Sequence, residues 1–113
     1  SKVFEQVILR SSEWADAEKM MYVVGATHPE AFQHIRKMIP DNFLLVPGIG
    51  AQGGDLAAVC KYGLNDTCGL LVNAGRSVIF AGKGKDFADQ ARKEAQKLQN
   101  EMEQILHEAG LCL

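Results

Sequence analysis

Three short apolar runs, each closed by a glycine turn or an asparagine and each followed by a helix-forming stretch, constrain this chain more than anything else in it. They are Met20-Met21-Tyr22-Val23-Val24 before Gly25, Phe43-Leu44-Leu45-Val46 before Pro47-Gly48, and Gly69-Leu70-Leu71-Val72-Asn73 before Ala74-Gly75. None shows the apolar/polar alternation of a strand with one wet face. Strands that are apolar on both faces and alternate with helices predict a parallel sheet joined by right-handed crossovers. The expected fold is therefore α/β, made of parallel (β/α) units. Such a sheet leaves two apolar, unpaired edges, which act as aggregation templates unless something covers them. The alternation is regular but the sheet is too small to be complete. A full barrel of this type takes about 250 residues, whereas this chain has 113. It reads as one partial domain, residues 1–113, that assembles with a partner or belongs to a longer (β/α) protein.

The helices follow from the spacing of apolar residues. Val3, Phe4, Val7 and Ile8 give a first helix that begins without a clear cap, as a chain cut from something longer would. Thr27-His28-Pro29-Glu30 matches a capping box, and Phe32, Ile35 and Ile39 supply the inner face of the helix behind it. Leu56, Val59 and Cys60 do the same for a short helix after Asp55, and Ser77 to Ala81 is long enough for one helical turn. The last helix is the clearest, with Phe87, Ala91, Ala95, Leu98, Met102, Ile105 and Ala109 at intervals of three and four, Asp86 as cap and Gly110 as stop. Trp14, in the polar stretch after the first helix, is expected to pack at the rim.

Glycine is concentrated between Gly48 and Gly84, and three features there converge on phosphate. The loop Pro47-Gly48-Ile49-Gly50-Ala51-Gln52-Gly53-Gly54 offers successive backbone N–H groups with little side-chain bulk, the makings of an anion nest. The helix after Asp55 turns its N-terminal dipole toward that loop. Arg76 follows the next strand at the matching position, where its guanidinium can fork onto phosphate oxygens. A charged hydrogen bond contributes about 1.5–3 kcal/mol and a helix terminus about 0.3–1 kcal/mol, so Arg76 is the expected anchor. The plain alternative is that these glycines only permit tight turns and Arg76 is a solvated surface residue. Gly48-x-Gly50-x-x-Gly53 also satisfies the dinucleotide fingerprint between a strand and a helix. Against that reading, the next strand ends in Asn73 rather than an acidic residue for a ribose hydroxyl, and Pro47 and Gln52 have no part in it.

The run from Phe43 to Asp55 resembles the phosphate-gripping segment after strand seven of the orotidine 5′-phosphate decarboxylase family. Val24-Gly25-Ala26-Thr27-x-Pro29-Glu30 is similar to the end of strand six, and Leu71 to Ala81 to strand eight with its phosphate-binding arginine. The resemblance covers essentially the whole chain. It implies the C-terminal part of a TIM (β/α)8 barrel, with orotidine 5′-phosphate or UMP as the ligand. It gives Gln52 a bridge between phosphate and pyrimidine, Arg76 and the Gly75 N–H a grip on phosphate, and Pro47 a place at the pyrimidine end. It implies no cofactor and no metal, and a homodimer for the full-length protein. In the family a Lys and Asp network, partly within a D-x-K-x-x-D motif, favours the carbanion-like transition state, and its Lys protonates C6 as carbon dioxide leaves. No D-x-K-x-x-D occurs here. The chain is thus expected to supply the phosphate side of the site, to lack strands one to five and the catalytic network, and to be inactive alone. A stand-alone phosphate- or nucleotide-binding module and a Rossmann-type dinucleotide unit stand as alternatives.

Composition excludes other classes. A net charge of −2 with no basic run argues against nucleic acid. No apolar run approaches the roughly 20 residues of a membrane span, and there is no signal-peptide layout. The three cysteines, Cys60, Cys68 and Cys112, lack a C-x-x-C pair and read as reduced thiols of a cytoplasmic protein. No His or Cys pair has metal-ligand spacing. His28, His34 and His107 are expected on the surface, and Lys83 and Lys85 in a solvated turn.

Overall fold

The computed structural model describes residues 2–50 and 55–111. Its elements are α1 (Val3–Ser11), β1 (Tyr22–Val23), α2 (Ala31–Met38), β2 (Leu44–Val46), α3 (Leu56–Gly63), β3 (Leu70–Val72), α4 (Arg76–Ile79) and α5 (Phe87–Glu108). The strands form one parallel sheet in the order β1-β2-β3. Each apolar run thus pairs with the next in sequence, as the alternation predicts.

The register decides which side chains are covered. Tyr22, Leu44 and Leu70 are partners in one row, and Val23, Leu45 and Leu71 in the next. Side chains of successive strand residues point to opposite faces, so the two rows lie on opposite sides of the sheet. On the helix side Leu44 and Val46 are fully buried, together with Phe32 of α2 and Val59 of α3. Each such side chain contributes about 1.5–3 kcal/mol on burial. On the other side Val23 remains 70% exposed and Leu71 55% exposed. The strands are apolar on both faces, and helices cover only one of them.

β1 is shorter than its apolar run because Met20 uses its polar backbone groups elsewhere. The Met20 N–H donates to the Asp16 carbonyl (3.0 Å), and its own carbonyl accepts from Asn42 Nδ2 (2.9 Å). Parallel pairing nevertheless continues past the other end of the strand, where the Val24 N–H reaches Leu45 O and the Ala26 N–H reaches Pro47 O.

The Thr27 capping box does not form. Ala31, Phe32 and Gln33 donate to His28, Pro29 and Glu30, three residues back, so the chain winds through tight turns and α2 starts only after Glu30. Its inner face is as expected, with Phe32, Ile35 and Ile39 all buried. Asp55 does cap α3, accepting from the Ala58 N–H at 3.3 Å, over an inner face of Leu56, Val59 and Cys60.

α1 is docked by few contacts. Ile8 and Ser11 are buried, and Ser11 Oγ lies 2.7 Å from Tyr22 Oη. Glu5 Oε2 meets His34 Nε2 at 3.1 Å, joining α1 to α2 at the surface. Val3 and Val7, part of the spacing that predicts this helix, are exposed. So is Trp14, because the turn bonds Glu13 N–H to Arg10 O and Trp14 N–H to Ser11 O carry the chain outward from the helix end.

α5 packs its Leu98, Met102 and Ile105 against the core without fully burying any of its residues. A cavity of about 400 Å³ remains beneath it, between Leu56, Val72, Val78 and Leu98. Asp86 sits at the cap position but accepts from the Gln90 side chain instead of a backbone N–H. Gly110 ends the helix: its N–H reaches His107 O, and the Leu111 N–H reaches Leu106 O, as in a Schellman stop. No helix among the described residues is long and apolar enough to cross a membrane.

Candidate phosphate site and its opposite end

The C-terminal ends of β2 and β3 open into the two segments that the sequence marks for phosphate. After Val46 the chain runs through Pro47, Gly48, Ile49 and Gly50. Gly48 (φ 93) and Gly50 (φ 85) both adopt the left-handed conformation that glycine accommodates. Ile49 between them is buried and fixes the loop to the core. Pro47 is half-buried, and its carbonyl accepts from Ala26 at 3.2 Å, so the ends of β1 and β2 are tied together.

After β3 the Asn73 N–H still pairs with Val46 O (2.9 Å), which sets the two loops side by side. Gly75 is the N-cap of α4 and accepts from Val78 and Ile79. The helix begins at Arg76, one residue before the predicted turn, and ends at Ile79, short of Ala81. Contact between the two loops is close: a Cβ added to Gly50 would lie 2.8 Å from Ser77 Oγ.

Arg76 is exposed, and among the described residues its side chain makes no hydrogen bond or ion pair. Among the described residues it stands as an unpaired cation in the helix that meets the glycine loop. Gly75 is half-buried, with open space where a Cβ would stand. Gln52 lies outside the described residues, as does Cys112. Lys83, Lys85, His28 and His107 are exposed, and His34 serves the surface pair with Glu5. That pair, followed by the Lys2 backbone N–H, holds the Glu5 carboxyl below its usual range. Among the described residues no group of three or more His, Cys, Asp or Glu could hold a metal ion.

The opposite end of the sheet holds a residue that the sequence reading passed over. Arg36 is buried, and its guanidinium donates to four backbone carbonyls: Nε to Gly63 (2.6 Å), Nη1 to Ile39 (3.1 Å) and Asn42 (2.7 Å), and Nη2 to Gly69 (2.8 Å). These carbonyls come from the end of α3, the end of α2, the turn into β2 and the approach to β3. Burial lowers the guanidinium's pKa from its ordinary value, and it stays charged at any physiological pH. The signal was present in the sequence. Phe32, Ile35, Arg36 and Ile39 occupy positions i, i+3, i+4 and i+7, so Arg36 stands within the apolar stripe of its own helix.

No family model matches the chain. Curated relatives do. The orotidine 5′-phosphate decarboxylase of Phocaeicola vulgatus is 59% identical over 105 residues, 93% of this chain and 39% of the relative. The enzyme of the same name from Flavobacterium johnsoniae is 57% identical over 106 residues, again across 39% of its length.

The chain belongs to the orotidine 5′-phosphate decarboxylase family.

It spans about two fifths of the curated relatives it matches, as a C-terminal segment of that family would. Solved structures agree. A Leishmania donovani UMP synthase superposes with a TM-score of 0.70 at 35% identity, covering 87% of this chain and 22% of that one. A Leishmania donovani OMP decarboxylase gives 0.66 at 29% identity, covering 88% and 38%. These orotidine 5′-phosphate decarboxylase folds are TIM barrels, and the three parallel (β/α) units here are a part of one. The helix-free row Val23–Leu45–Leu71 is then the face turned to the barrel interior, where layers of inward-pointing apolar side chains make the core.

Proposed function

We propose that the protein containing this chain converts orotidine 5′-phosphate to UMP and carbon dioxide in pyrimidine synthesis, and that residues 43–76 hold the ligand's phosphate. The reading is carried by the 59% identity to a curated decarboxylase across 93% of the chain. The geometry supports this reading, because the Gly48–Gly50 loop and the start of α4 meet at adjacent strand ends with Arg76 unpaired beside them among the described residues.

In this proposal the Arg76 guanidinium forks onto two phosphate oxygens, and the Gly75 N–H donates to the same group. Gln52 bridges phosphate and pyrimidine, and Pro47 bounds the pyrimidine end. Interactions with a group remote from the reacting carbon can lower the barrier there when they strengthen toward the transition state. The Lys and Asp residues that stabilise the developing carbanion and protonate C6 come from other strands, and 1–113 is one partial domain of the whole. The full-length protein is proposed to act in the cytoplasm as a homodimer. The free thiols of Cys60 and Cys68 are compatible with a reducing compartment.

Turnover of orotidine 5′-phosphate tests the reading. The 113-residue chain should show none, and the protein that includes strands one to five should show it. Decarboxylation by the chain alone, or none by the longer protein, would sink the proposal.

A further inference from the structure

Ser77 is the second residue of α4, directly after Arg76. Its Oγ is buried and has no hydrogen-bond partner among the described residues. Buried hydroxyls are nearly always paired, so an exception calls for a reason. What lies against it is the glycine loop: a Cβ on Gly50 would stand 2.8 Å from Ser77 Oγ and 3.0 Å from Ser77 Cβ. Bare backbone at φ 85 is therefore what allows the loop to rest on this hydroxyl. A serine hydroxyl can donate one hydrogen bond and accept two, and the peptide groups next to it are candidate partners.

We infer that Ser77 is a positioning residue for phosphate: its hydroxyl bonds the Gly48–Gly50 backbone when a phosphate monoester is held against Arg76, and so fixes the loop over the ligand. The inference rests on the phosphate reading proposed above. Arg76 and Ser77 are consecutive in one short helix, so the group that attracts the anion and the group that holds the loop move as one piece. The desolvation cost of the unpaired hydroxyl is borne by the protein without ligand and relieved when the bond forms, which makes that bond count toward affinity instead of stability.

That asymmetry gives a test in which a merely structural serine would behave oppositely. In the full-length protein, Ser77→Ala should leave the Tm without ligand unchanged or raised, because an unpaired polar group is removed. The same change should weaken UMP binding, measured by calorimetry, by about fivefold or more. A lowered Tm, or an unchanged UMP affinity, overturns the inference. The two readings fail separately. If the unmodified protein does not bind UMP, the phosphate reading itself is lost. If it binds, Arg76→Ala weakens it and Ser77→Ala does not, then only the role given to Ser77 is lost.

Discussion

Arg36 and Gly69 meet at a carbonyl that is already in use: Gly69 O accepts from Arg36 Nη2 at 2.8 Å and from the Leu44 N–H at 2.9 Å. One oxygen thus joins a guanidinium to the first bond of the β2–β3 ladder. Removing the guanidinium strips a donor from this and three other buried carbonyls. Hydrogen bonds to a charged group are worth about 1.5–3 kcal/mol each, though not additively, so Arg36→Ala should destabilise by about 3 kcal/mol or more. Arg36→Lys should recover only part, since an ammonium lacks the planar fork. Urea unfolding checks both, and a loss below about 0.5 kcal/mol for the alanine variant would contradict the role given to Arg36.

Gly69 itself admits no side chain. Its φ is +69, and an added Cβ would collide with Asn65 Nδ2 and Arg36 Nη2. The left-handed conformation alone costs an L-residue about 1–2 kcal/mol, and here displacement of the clamp is added. Gly69→Ala should therefore exceed that range in a urea melt. Gly75→Ala, where a Cβ meets nothing within 4 Å and φ is −100, should change stability little. Equal losses at the two sites would refute the steric account.

Arg76→Ala should leave the urea midpoint near that of the unmodified protein, because the side chain is exposed and unpaired among the described residues. Its effect belongs to binding. Loss of one or two charged hydrogen bonds to phosphate should weaken UMP affinity at least tenfold. Raising the salt concentration should reduce the difference between the two proteins, since an exposed charge is screened. An affinity that Arg76→Ala does not alter would remove Arg76 from the site.

Burial pushes the Cys60 thiol up from 9.0 to about 11, with smaller contributions from Cys68 and Glu101. Below pH 9 the thiol is protonated in both folded and unfolded chains and has no effect on the pH dependence of stability. Between about pH 9 and about 11 only the unfolded chain releases the proton, so Cys60 makes stability fall as pH rises through that window. Cys60→Ala should flatten this part of the profile. At pH 8 an alkylating reagent should modify half-exposed Cys68 well before buried Cys60, as peptide mass mapping would show. Faster labelling of Cys60 would contradict its burial.

Local chemistry made much of this fold legible. Leu44-Leu45-Val46 and Leu70-Leu71-Val72 could be read as strands because few other structures suit apolar runs that short. Asp55 and Gly110 could be read as helix ends because one side chain or one backbone conformation suffices there. Thr27 was misleading for the same reason. A capping box has the right residues wherever they occur, and only the turns from His28 to Glu30 show that the helix begins later. Val3 and Val7 mark a helical stripe and Trp14 a packing place at the rim, yet all three are exposed, because an apolar residue announces that it can be buried, not that a neighbour is there to cover it.

The candidate site was legible as an alignment of turns. Pro47, Gly48, Gly50, Gly75 and Arg76 each mark a strand end, and parallel strands bring those ends to one side. Ser77 gave no signal of its own, because its standing depends on which backbone lies over it. Arg36 gave a signal without a meaning. An arginine in an apolar stripe must find acceptors, but the carbonyls it finds are 3, 6, 27 and 33 residues away, and only the folded chain brings them together.

Those acceptors carry one more consequence. An arginine held by carboxylates loses its grip in acid as its partners take up protons, and loses some of it in brine. The partners of Arg36 are peptide carbonyls, which bind no proton at any pH the chain would meet, and they are shut away from dissolved ions. The clamp's hydrogen bonds therefore do not titrate, and what acid can weaken at Arg36 is its longer-range attraction to Asp41. Among the described residues, the carboxylate that leans on His34 at the edge of α1 is a second place where sensitivity to acid would show.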